Sequence, residues 1–318
     1  MRDTHRAGRQ SILFLNRRGF AAFYQCRSCG FVLRCRHCSV TLTYHKVKGK
    51  MICHYCGYKA DPPHACPECG SLDSGFAGHG TERIEEDVDA RFPDLTVRRL
   101  DTDSARKKGS LEEILDAFRR GEIHVLLGTQ MVAKGLNFPG VKLVGIIQAD
   151  TGLMLPDFRA AERTFSLITQ VAGRAGRYSP DGRVIVQTFQ PHNPAVSHAV
   201  QGEVEAFYRE EIEMRRGLAF PPFSRLLRVV VRSREREAAE RAAAELAGKL
   251  ARVIGEEAEV MGPAECALAV IAGNHRRQLL IRTEGFRRTH AGLAQVLSSF
   301  RAPSRVYLEV DVDPVSVL

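Results

Sequence analysis

Apolar residues fall into short runs separated by polar, glycine-containing stretches, and the period of each run predicts an element. Residues 11–15, SILFL, form an unbroken apolar run of strand length, as a strand buried on both faces requires. Residues 96–100, 125–127, 141–148 and 183–189 read as further strands. Residues 82–92, 110–120 and 159–172 carry helical periodicity; in the second, Leu111, Ile114, Leu115 and Phe118 share one face. Strands alternating with helices predict an α/β unit, a mostly parallel sheet with helices on both faces. The first strand is separated from its expected partners by a cysteine-rich stretch. Ligands of such sheets bind beyond the carboxyl ends of the strands. Gly128-Thr129-Gln130, Asp150 and the loop near Gly173 are expected at that edge.

Residues 192–194 read as a break, 203–216 as a connecting helix, and Phe220-Pro221-Pro222 as a stop that no helix continues through. A second unit follows: strand 225–232, an alanine-rich helix 235–253, strands 267–272 and 278–282, helix 287–300 and strand 305–312. That order predicts a small α+β domain. No run of about 18 apolar residues occurs, so no membrane span is expected. Residues 1–10 are basic without the apolar stretch of a secretory signal. The expected location is the cytoplasm, with no membrane partner.

Composition adds two constraints. Hydrophobic residues make up 44% of the 318, which fits a folded chain and excludes a disordered one. The net charge of +9 is concentrated: residues 1–60 hold twelve Lys or Arg against one acid, Asp3, a local net of +11. A local excess of that size is the electrostatic footprint of a polyanion partner, with nucleic acid the leading expectation.

Eight of the nine cysteines lie within residues 26–69, overlapping that region, as four CxxC pairs: Cys26/Cys29, Cys35/Cys38, Cys53/Cys56 and Cys66/Cys69. A CxxC presents two sulfurs to one tetrahedral ion, and two pairs complete a four-thiolate site, so four pairs imply two zincs. Disulfides suit a secreted chain, and a redox pair needs one CxxC beside a βαβ unit rather than four in tandem. Four thiolates leave no open coordination position, which argues for structural rather than catalytic zinc. His37, His45, His54 and His64 are expected on the surface rather than as ligands, and Cys266 as a small buried residue. Spacing leaves two pairings open: adjacent (26/29/35/38 with 53/56/66/69) or nested (26/29/66/69 around 35/38/53/56).

Three further segments carry chemistry. They are Leu13-Phe14-Leu15-Asn16-Arg17-Arg18-Gly19-Phe20, Gly128-Thr129-Gln130-Met131-Val132-Ala133-Lys134-Gly135 and Gln170-Val171-Ala172-Gly173-Arg174-Ala175-Gly176-Arg177. Arginine suits phosphate oxygens because its planar fork is permanently charged. In this order the segments resemble the motifs of the second motor lobe of superfamily 2 helicases. With the cysteine region between them, and with the words GTERIEE (80–86), DFRAAER (157–163), LAFPPF (218–223) and DVDP (311–314), the chain from about residue 11 onward resembles the PriA family of replication-restart helicases.

That resemblance implies a RecA-like second helicase lobe with an inserted two-zinc module, followed by a small α+β C-terminal domain. The implied divisions are 1–22 and 77–193 for the lobe, 23–76 for the zinc insertion, 194–216 for the connecting helix and 217–318 for the C-terminal domain. It implies the nested pairing. It makes Arg174 and Arg177 arginine fingers that stabilise charge on the γ-phosphate of ATP, with Gln170 and Gly173 beside the nucleotide. Thr129, Gln130 and Lys134 would face DNA or couple it to the nucleotide. Implied partners are forked and single-stranded DNA, single-strand DNA-binding protein and other primosome proteins, including the loading machinery of the replicative helicase. No GxxxxGK[ST] and no DExH-like box occur in the 318 residues. The chain is therefore expected to be the carboxyl-terminal half of such a helicase, using ATP and Mg2+ only with a first lobe and having negligible ATPase alone. Gly273-Asn274-His275-Arg276-Arg277-Gln278 departs from the family's arginine–aromatic–arginine pattern; Arg276 and Gln278 are expected to keep part of the acidic-tail contact. The alternative is a stand-alone zinc-dependent DNA- or partner-binding module without catalysis.

Overall fold

The computed structural model describes residues 1–15, 23–45, 48–77, 81–100, 110–129, 137–175 and 181–317. A short helix α1 (Arg2–Arg6) leads into strand β1 (Gln10–Leu15). Every residue of β1 is buried, because it is the central strand of a five-stranded parallel sheet. Its neighbours are β8 (Val125–Gly128) and β9 (Val141–Ile147); β7 (Val97–Leu100) and β10 (Arg183–Val186) form the edges. The alternation of strand side chains sends β1 to two cores. Ile12 and Phe14 pack with Phe118, Leu126, Val144 and Phe165 on one face. Leu13 and Leu15 pack with Ile84, Val88, Val97 and Leu127 on the other. These cores are covered by helices α2 (Thr81–Arg91), α3 (Ser110–Arg119) and α4 (Ala160–Ala172).

The cysteine-rich segment leaves and rejoins this sheet side by side. Strand β2 (Phe23–Cys26) pairs antiparallel with β6 (Ser74–Ala77), with Phe23 opposite Ala77 and Cys26 opposite Ser74. Between them β3 (Thr43–His45), β4 (Lys50–Ile52) and β5 (Lys59–Ala60) form a small antiparallel sheet. The segment is thus an insertion between β1 and the remainder of the parallel sheet.

The break expected at 192–194 is a turn over 191–193, and helix α5 (Pro194–Gln201) starts at Pro194, where the connecting helix was expected to begin. Asn193 caps it, its side chain accepting from the Ala195 amide (3.1 Å), and Pro194 occupies the first turn, where its missing N–H costs nothing. Helix α6 (Val204–Gly217) follows, Phe207 stacking on Phe165 with centroids 4.1 Å apart.

The C-terminal sheet has the antiparallel order β12-β13-β11-β14: β11 (Arg225–Ser233), β12 (Glu259–Ile271), β13 (Asn274–Thr283) and β14 (Tyr307–Val312). Helices α7 (Arg236–Ile254) and α8 (Phe286–Ser299) cover one face. Alanines 238, 239, 242 and 243 let α7 approach that sheet closely. The opposite face, through Leu226, Met261 and Leu280, packs on the cysteine-rich segment. Strand β12 is about twice the expected length. Gly262-Pro263 interrupts its apolar pattern, and the register shifts between Met261 and Ala264. Proline is tolerated there because β12 is an edge strand.

Candidate metal centre and motor-lobe surface

The four CxxC pairs adopt one local fold. In three of them a glycine follows the second cysteine with positive φ (78° at Gly30, 79° at Gly57, 71° at Gly70), and its amide donates to the carbonyl of the first cysteine. The fourth turn closes the same way, with Ser39 at φ 54° and its amide donating to the Cys35 carbonyl at 2.9 Å. Serine hides this turn from a reading that looks for glycine.

The turns meet in the nested pairing. Cys26, Cys29, Cys66 and Cys69 form one group and Cys35, Cys38, Cys53 and Cys56 the other, with the sulfurs of each group all within 4.8 Å of one another. The sulfurs of Cys26 and Cys69, of Cys29 and Cys66, and of Cys35 and Cys56 are each 3.7 Å apart. A tetrahedron with Zn–S near 2.3 Å has sulfur–sulfur edges of about 3.8 Å, whereas a disulfide is about 2.05 Å. The spacing therefore fits a four-thiolate metal site and no disulfide. Hydrogen bonds from Cys38 and Cys53 pull the Cys35 thiol down to about 2, while the same contact drives Cys38 up. Crowded thiols that cannot all ionise together are what a bound dication relieves. The first group is the outer one, with Cys29 and Cys69 exposed; the second is the inner one, with Cys35, Cys38 and Cys53 buried.

His37 and His64 lie exposed, as expected. His54 does not; it is 1% exposed, between Cys53 and Cys56. Burial pushes its pKa down to about 4, so it is neutral near pH 7, and its Nδ1–H donates to the Glu265 carbonyl (2.7 Å). The His54 carbonyl accepts from Nε2 of Gln278 (2.7 Å), whose Oε1 accepts from Arg228 (2.7 Å). Gln278 is 0% exposed, so it holds the interior together and offers nothing to a tail at the surface. Arg277 is also committed, to Glu240 and Glu265. Arg276 is half-buried and donates to the Leu268 carbonyl at 3.4 Å. Cys266 is buried, as expected of a small residue.

At the parallel sheet, Thr129 follows the carboxyl end of β8 and is half-buried. Gln170 and Gly173 are exposed at the end of α4, and Arg174 beside them is half-buried. Gln130, Lys134 and Arg177 lie outside the described residues. Asp150, expected at the ligand edge, is 2% exposed and consumed internally: it accepts from the Thr188 hydroxyl and from the amides of Phe189 (2.8 Å) and Gln190 (3.2 Å).

The segment 157–163 forms a latch that spacing did not reveal. Asp157 accepts from the Arg159 amide and from Arg163, each at 3.0 Å. Arg159 donates to the Pro314 carbonyl (3.0 Å) and Arg163 to that of Val315. The DFRAAER and DVDP words, far apart in the chain, are therefore contact partners. Among the described residues no helix is long and apolar enough to cross a membrane.

Three family models match the chain. Residues 216–315 match the primosomal protein N C-terminal domain, 35–60 the PriA DNA helicase Cys-rich region and 80–179 the helicase conserved C-terminal domain. A replication restart protein PriA of Treponema pallidum is 52% identical over 318 residues, covering 100% of this chain and 48% of that protein. PriA of Bacillus subtilis is 39% identical over 321 residues, covering 100% of this chain and 40% of its own length. PriA of Synechocystis is 39% identical over 312 residues, covering 97% and 37%. The chain thus spans about half the length, or less, of these relatives. A parallel-sheet lobe, a cysteine insertion with two four-sulfur groups and a C-terminal α+β unit occur here in the order in which these models match, and along its whole length this chain is similar to replication restart proteins PriA.

Proposed function

We propose that this chain supplies the second motor lobe, zinc module and C-terminal domain of an ATP-dependent 3′-to-5′ DNA helicase that recognises stalled forks and directs primosome assembly and replication restart in the cytoplasm. The divisions fall near residues 22, 76, 193 and 216. The observation that carries the reading is the end of α4, residues 170–175, where Gln170 and Gly173 are exposed and Arg174 is half-buried at the surface of the lobe. Arg174 and Arg177 reach the γ-phosphate of an ATP held with Mg2+ by a first lobe, and stabilise charge that develops during transfer. Gln170 and Gly173 flank the nucleotide, while Thr129, Gln130 and Lys134 meet the DNA backbone. Each four-cysteine group holds one zinc, which cross-links its four thiolates and does no chemistry. Single-strand DNA-binding protein and helicase-loading proteins are the partners, with Arg276 the hairpin side chain available to an acidic tail.

The test is ATP turnover with and without a first lobe supplied in trans. The pure chain should show none above background. Addition of the lobe and forked DNA should restore it, and Arg174→Ala or Arg177→Ala should each lower it by about 10³-fold or more. Turnover by the chain alone, or indifference to both substitutions, overturns the reading. DNA binding that persists with arginines of no consequence is instead the signature of a binding module without catalysis.

A further inference from the structure

The two cysteine groups sit differently between the domains. In the outer group, Gly30 of the Cys26–Cys29 turn lies so close to Phe189, three residues past β10, that an added Cβ would be 2.3 Å from its carbonyl oxygen. That contact reaches the motor lobe. The inner group reaches both sides through consecutive residues of one turn, Cys53-His54-Tyr55-Cys56. His54 faces the C-terminal domain, held by Gln278 and by the Glu265 carbonyl (both 2.7 Å). Gly57, which follows, packs beside the Pro263 carbonyl; an added Cβ would be 3.4 Å away. Tyr55 reaches the motor lobe through its Oη, which accepts from the Phe158 amide (3.2 Å), while its ring meets Phe220, at the start of the C-terminal domain, edge-on. Phe158 in turn stacks on Phe220, with centroids 4.9 Å apart and planes 8° apart. The next residue, Arg159, donates to Pro314 and so returns to the C-terminal domain.

We infer that the inner four-cysteine group is the joint that fixes the C-terminal domain against the motor lobe, with Tyr55 and His54 as its two positioning arms, and that the outer group has no such role. The physical reason is local rigidity. Two residues between two ligands of one ion have their backbone set by the metal, so the directions of both side chains are set together. Tyr55 is among the largest fully buried side chains, and Gln278 is fully buried with both ends of its amide satisfied. Neither arm can leave its seat without stranding polar atoms.

The test uses the full zinc-loaded chain and reads hydrogen exchange at residues 156–160 and 313–317, alongside zinc content. Cys53→Ser should lower zinc from about two to about one per chain and speed exchange in both segments at least about tenfold. Cys66→Ser should lose the same amount of zinc and leave both segments protected. The double variant Tyr55→Phe/Gln278→Leu keeps every thiolate; it should retain both zincs and still lose the protection. It also decides the matter if Cys53→Ser fails to fold. Unchanged protection in the double variant, or equal loss in Cys53→Ser and Cys66→Ser, overturns the inference.

Discussion

Asp150 shows how a residue's surroundings decide its role. Its carboxylate accepts three hydrogen bonds, one from a hydroxyl and two from backbone amides at the end of the lobe's last strand region. Asp150→Ala should therefore cost about 3 kcal/mol, because two part-buried amides and a hydroxyl lose a charged acceptor. Asp150→Asn should cost less, since one amide oxygen can still accept. Urea unfolding of the two variants measures the difference, and an Ala variant as stable as the parent refutes the structural role. The sequence places Asp150 after a strand, where ligand-binding residues are also found, and nothing local separates the two roles. The same holds for Gln278 and His54: both read as surface chemistry in one dimension, and both become interior once β13 lies against the cysteine-rich segment. The eight cysteines are the opposite case, because their chemistry resides in the CxxC unit itself. Only their pairing needed the third dimension, and β2–β6 supplies it by bringing Cys26 beside Ser74.

Among the elements, helices with clear apolar periodicity and the unbroken strand at 11–15 were legible, since their patterns reflect one face or two buried faces. From periodicity alone, helix α5 and strand β12 were not. Proline signals a break and also a favourable first turn, and only Asn193 capping the Ala195 amide settles which. In β12 a Gly-Pro pair and a register shift scramble the alternation. The α5–α6 pair carries a pH-sensitive staple. His198 on α5 meets Glu203 (2.8 Å) and Glu210 (3.1 Å), and the Glu203 contact, then that of Glu210, raises its pKa above the usual 6.5 against an opposing effect of burial. A group whose folded pKa is raised contributes its stability fully below the unfolded value and loses it as pH rises through the folded one. The stability difference between the parent and His198→Gln should therefore be fully present below about pH 6 and be lost as pH rises through the raised folded pKa. An NMR titration placing His198 at or below 6.5 rules this out.

For the whole molecule, the charge read first in the sequence changes meaning once the cysteines are grouped. Eight thiolates and two dications bring the formal +9 to about +5, and most of the thiolates lie in the basic region. Some of its bases are also paired, Lys50 with Asp61 and Lys48 with Glu265. Enough remain exposed, Arg36 among them, for a polyanion surface. Affinity for forked DNA should accordingly fall by about 10³-fold or more between about 50 and about 200 mM salt, as counterions released from the phosphates compete. A flat response in a binding titration removes the electrostatic argument.

By itself the sequence determined what depends on neighbours in the chain: the metal-ligand turns, the amphipathic helices, the buried central strand and the order of the motifs. The tertiary structure decided what depends on partners more than a hundred residues away. β1 finds β8 and β9 only after the cysteine-rich insertion and two helices have passed. The 157–163 latch closes on Pro314 and Val315. Gln278 reaches back to His54 across the joint between sheets. Local pattern sets backbone preference and side-chain period, but the burial of a polar group and the identity of its partner are properties of the packed assembly.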